Sequence, residues 1–109
     1  MVWYKNLYTS ESISDADARR IRHRMKLRGF VPGIYLVTLP SNAQNLLDII
    51  PSWNLRQKGY PKRELRIIGL AWGYDEAIEL VQRMVQEVYD ATGGVDIASY
   101  LKEVGGRAG

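Results

Sequence analysis

The chain has no cysteine, a single histidine and a single phenylalanine among its 109 residues. Without cysteine there are no disulfides, no thiolate nucleophile and no cysteine-ligated zinc. A reducing, cytoplasmic setting fits that usage. His23 stands among arginines, which makes it a poor general base and a poor metal ligand. No Ser/His/Asp, Cys/His or multi-ligand metal spacing can be assembled. The sequence therefore points away from an enzyme, with no metal and no cofactor expected, although carboxylates paired only in space would be invisible at this level. Long hydrophobic runs are also missing, so no helix of membrane-spanning length is expected and no membrane role is assigned. The opening Met1-Val2-Trp3-Tyr4-Lys5-Asn6 has neither the basic start nor the apolar stretch of a secretory leader.

What is present resembles an ordinary globular composition, with 46% hydrophobic and 25% charged residues, enough for one modest core. The length suits one domain, read as residues 1–104, with 105–109 as a flexible glycine-rich tail. Net charge is only +3, but it is divided along the chain. Residues 1–30 hold seven Lys/Arg against three Asp/Glu, and residues 73–109 hold three against seven. Such asymmetry suits an anionic partner, or two regions of one protein that face each other.

Ser14 is a helix N-cap with Asp17 at the third helical position, and Gly29 is a C-terminal stop. Between them Ala18, Ile21 and Met25 keep helical spacing, which predicts a helix over 15–28. Residues 34–39 and 65–71 read as strands from their β-branched and aromatic content. Leu46, Ile49, Ile50 and Trp53 have helical spacing, yet Pro51 breaks a continuous helix. The preferred reading is a short strand at 46–50 and a helical turn through 52–57. Ala77, Ile78, Val81, Met84, Val85, Val88 and Tyr89 form the apolar stripe of a long helix that Gly93 ends. A strand near Leu7-Tyr8-Thr9 and a turn at 96–102 complete the list. The expectation is an α+β fold with a three- or four-stranded, mainly antiparallel sheet and two helices packed on one face.

Four features are candidates for function. Arg19, Arg20, Arg22, Arg24, Lys26 and Arg28, with His23, place seven cationic or titratable side chains in ten positions. An array of this kind neutralises phosphates and releases their counterions. Lys58, Lys62, Arg63 and Arg66 extend it, with Tyr60 as a stacking candidate. The bland alternative is a solvated helix face, or one paired with the acidic last helix. Gly69-Leu70-Ala71-Trp72-Gly73 turns into a helix start that can hold an anion. It lacks the spacing of a Walker loop or dinucleotide fingerprint, and Asp75 and Glu76 disfavour an anion there. Ser41, Asn42, Gln44 and Asn45 beside Asp48 can bond a small ligand, or simply their own loop. Trp3, Tyr4 and Trp72 are interface anchors, or seals at the ends of a small core.

Over residues 30–102, the strings Tyr35-Leu36-Val37-Thr38-Leu39, Asn45-Leu46-Leu47-Asp48-Ile49 and Gly73-Tyr74-Asp75-Glu76-Ala77-Ile78-Glu79-Leu80-Val81 resemble a small family of uncharacterised bacterial proteins. The resemblance implies a bacterial cytoplasmic origin and brings no activity or site residues with it.

The leading functional expectation is a non-enzymatic interaction or regulatory module, with a protein partner or a second copy of itself. The alternative is a nucleic-acid-binding protein that uses helix 15–28. A third reading is a small-ligand binder or enzyme that uses the 41–48 loop.

Overall fold

The computed structural model describes residues 1–40, 46–61 and 65–104. Strand β1 (Val2–Thr9) leads to helix α1 (Asp15–Arg28), then to β2 (Ile34–Thr38) and β3 (Asp48–Pro51). A 3-10 turn (Ser52–Arg56) follows, then β4 (Arg66–Trp72), α2 (Gly73–Thr92) and α3 (Ile97–Val104). The fold is α+β.

Helix α1 has the ends that its sequence specifies. Ser14 Oγ accepts from the Asp17 N–H at 3.1 Å, and Asp17 Oδ2 accepts from the Ser14 N–H at 3.2 Å. This reciprocal pair satisfies two N–H groups that have no partner within the helix. At the other end the Gly29 N–H donates to the Met25 carbonyl at 2.8 Å. The ambiguous 46–57 region resolves as preferred: Asp48–Pro51 is a strand, and Pro51 is the N-cap of the turn after it. The proposed tail, 105–109, lies outside the described residues.

The strand order is β1-β4-β2-β3. β2 runs antiparallel to both its neighbours, β3 and β4, while β1 runs parallel to β4. The sheet is thus mixed rather than mainly antiparallel, because the α1 connection returns the chain to the sheet before β4 docks beside β1.

A second correction concerns the helices. Ile21 and Met25 of α1 pack with Trp3, Ile34, Leu36, Ile67 and Leu70 in one core. Ala77, Leu80, Met84 and Val88 of α2, with Ile97 and Leu101 of α3, pack with Tyr4, Val37, Ile68 and Ala71 in another. The two helices expected on a common face therefore cover opposite faces, and α3 joins α2. The cause lies in β4, where every residue from Ile67 to Ala71 is buried. A strand apolar on both faces needs cover on both.

Candidate functional site

The sheet holds a crevice that follows from this topology. β1 and β4 are adjacent and parallel, so their carboxyl ends lie side by side. The chain leaves β1 towards α1 on one face and leaves β4 towards α2 on the other. Adjacent parallel strands whose connections diverge in this way open a groove outside their carboxyl ends.

Ser10 fastens the floor of that region. It is buried, its N–H donates to the Leu70 carbonyl at 3.0 Å, and its Oγ accepts from the Trp72 N–H at 3.1 Å. Glu76, in the first turn of α2, accepts from Ser12 Oγ at 2.6 Å. Hydrogen bonds from Ser10 and then Ser12 hold the Glu76 carboxyl below its ordinary value. The start of α2 is thereby tied to the β1–α1 connection.

Two glycines shape the same corner. Gly73 has φ +80° and its N–H donates to the Gly33 carbonyl at 2.8 Å; Gly33 has φ +83°. Both values lie where side chains are strained. A β-carbon on Gly33 would also stand 3.4 Å from the Trp72 ring, so the indole lies against bare backbone. Trp72 nevertheless remains 52% exposed. It shares a groove of about 750 Å³ with Ser12, Asp17, Arg20, Arg24 and the apolar floor of Ile13, Ile21 and Val31.

The basic helix lies beside this groove and faces solvent. Arg19, Arg20, Arg22, His23, Arg24, Lys26 and Arg28 are all exposed. At 100° per residue, Arg20 and Arg24 flank the buried stripe on the Trp72 side. Arg19, Arg22 and Lys26 flank it on the other, where they line grooves along β1 with Lys5, Trp3 and His23. The one salt bridge among the described residues joins Arg20 to Asp17. The Arg22 guanidinium lies 5.1 Å from the Trp3 ring centre. Pairing of α1 with the acidic α2 does not occur, since the sheet stands between them. Asp17 stays well ionised: hydrogen bonding from the Ser14 backbone, then the Ser14 side chain and Arg20, lowers its carboxyl.

The other sequence candidates fall elsewhere. Lys62, Arg63 and the loop residues Ser41, Asn42, Gln44 and Asn45 lie outside the described residues. Asp48 pairs with Thr38 across β2 and β3, in a groove shared with Tyr60, Arg66 and Tyr74. Thr38 is buried there, and its Oγ1 has no hydrogen-bond partner. Trp3 and Tyr4 are buried on opposite faces of β1, each in its own core. Of the three proposed interface aromatics, Trp72 alone presents a large surface. Among the described residues no cluster of His, Cys, Asp or Glu is arranged to hold a metal, and no helix is long and apolar enough to cross a membrane.

Sequence reasoning missed the meeting of Trp72 with Arg20 and Arg24. Nothing local announces it, because it depends on β1 and β4 being neighbours. The fold and this corner define an α+β protein with a basic helix beside an aromatic groove. Comparison with known proteins finds no matching family model, no matching curated protein and no matching solved structure, so any functional reading rests on this geometry.

Proposed function

We propose that this protein is a non-enzymatic binding module whose partner is nucleic acid, held through its phosphates by the exposed face of α1. One observation carries the reading. The cationic side chains of α1 project into solvent, and the acidic helix that would neutralise them lies across the sheet. Exposed arginines at helical spacing, of which Arg20 alone has a carboxylate partner among the described residues, suit bidentate contact with successive phosphates, and release of condensed counterions supplies the affinity. The solvated-face alternative predicts no more than weak, non-saturating association.

Charge reversal at Arg19 and Lys26 tests this away from the Trp72 groove. Binding of a labelled oligonucleotide to the double variant, Arg19→Glu with Lys26→Glu, should weaken by about 10-fold or more at low salt. Thermal stability should stay near wild type, because both residues are exposed. Equal affinity of variant and wild type would refute the proposal.

A second reading, self-association, draws support from the exposure of Trp72 (52%) and Tyr74 (54%), two positions apart in sequence. Exposed aromatics suit interface anchors. Light scattering decides it: a mass that rises with concentration in wild type and not in Trp72→Ala supports a homodimer.

A further inference from the structure

We infer that the nucleic acid bound is single-stranded, with one base stacked on Trp72 and the adjoining phosphates held by Arg20 and Arg24. This inference rests on the nucleic-acid reading above and specifies its partner. It starts from the groove at the carboxyl ends of β1 and β4, where three features converge. The first is an indole that is half exposed and backed by bonded main chain. Its backbone N–H is bound to the buried Ser10 Oγ, and its ring lies against Gly33. A stacking platform needs that combination, since a ring free to rotate loses entropy when a base settles on it. The second is charge. Arg20 and Arg24 line the same groove from α1. Asp17 and Glu76 remain charged beside it, but Asp17 is shared between Ser14 and Arg20 and Glu76 is turned to Ser10 and Ser12. Arg24 is thus the groove's unshared guanidinium, and Arg20, 69% exposed, keeps N–H donors open to solvent. The third is room. A groove of about 750 Å³ with an apolar floor of Ile13, Ile21 and Val31 is in the range of small-ligand sites.

An aromatic face flanked by guanidinium groups matches a nucleotide at both ends, with a flat base for the indole and an anionic backbone for the arginines. A base within a duplex has both faces covered by its neighbours, so only an unpaired base can reach Trp72. The groove therefore discriminates between strands in a way that the open cationic face of α1 does not. Its preference among bases should be slight, because every base offers a π-face.

The test uses the full chain and three labelled probes of equal length: oligothymidylate, oligouridylate and a blunt DNA duplex. Wild type should bind both single strands more tightly than the duplex. Trp72→Ala should lose about 5- to 150-fold in affinity for the single strands and leave duplex affinity unchanged. Trp72→Phe should retain most single-strand binding, which separates loss of a stacking face from loss of folding. Arg24→Ala should weaken the single strands more than the duplex. Single-strand binding indifferent to Trp72→Ala overturns the inference while leaving the α1 reading intact. Failure of all three probes to bind ends both. A Trp72→Ala effect on molecular mass with none on binding assigns the indole to self-association and also overturns it.

Discussion

At Gly69 the sheet and α2 approach so closely that a side chain would require its neighbours to give way by a few tenths of an ångström. A β-carbon there would lie 3.1 Å from Leu80 Cδ2, 3.3 Å from Val37 Cβ and 3.4 Å from the Tyr8 carbonyl oxygen. Gly69→Ala should therefore destabilise the protein by about 1–3 kcal/mol through overpacking, measured by urea unfolding. Glu76 gives a prediction of a different kind. Its folded-state carboxyl titrates below the unfolded value of 4.5, because Ser10 and Ser12 donate to the ionised form. The unfolded chain then binds more protons than the folded one between those two values, so stability falls as the medium is acidified. The contribution is complete above about pH 4.5 and disappears below the folded value. Urea midpoints compared from neutral to acid pH should drop less steeply in Glu76→Gln than in wild type. Parallel curves would remove Glu76 from the link between α2 and the β1–α1 connection. Tyr8 works in the opposite pH range. Burial first, and then its hydrogen bond to Glu87 at 2.5 Å, raise the phenol.

At the scale of single elements, α1 joins a buried stripe to an exposed charged surface, and the two should respond to mutation separately. Met25 is 2% exposed. Met25→Ala should cost about 2–5 kcal/mol by leaving a void against the sheet. Arg28→Ala, on the exposed side, should change stability by less than about 0.5 kcal/mol. Denaturant titration of both variants checks the division. Helices were the most legible elements because their limits are written in local chemistry. Ser14, Asp17 and Gly29 bound α1, and Gly93 closes α2. β1 was legible only in its last residues. Its register against β4 slips between Trp3 and Tyr8, so the alternation that marks a strand is interrupted at Lys5 and Asn6. The placement of α1 and α2 on opposite faces, against the single face expected, does carry a signal in the sequence. Ile67, Ile68, Leu70 and Ala71 leave no polar side to β4, and such a strand calls for helices above and below it. The pairing of β1 with β4 had no comparable signal, because it joins segments more than fifty residues apart.

For the whole molecule, the sheet acts as a partition between charges of opposite sign. The basic stretch of the sequence that forms α1 lies on one side, and the acidic stretch that forms α2 lies on the other. That division was visible in the order of residues. Its outcome was not, since charge counts alone cannot distinguish helices that neutralise each other from helices held apart. The candidate groove was less legible still. Arg20 and Arg24 stood out as part of a run and Trp72 as an aromatic near a strand end, but their meeting is a product of topology. The central claim is that α1 engages phosphates, and the salt dependence of oligothymidylate binding tests it most directly. Log affinity should fall linearly with log salt concentration in wild type. In the double variant Arg19→Gln with Lys26→Gln the slope should be shallower by about 1.4, at about 0.7 per lost phosphate contact. Identical slopes in the two proteins, or no saturable binding at low salt, would contradict the account.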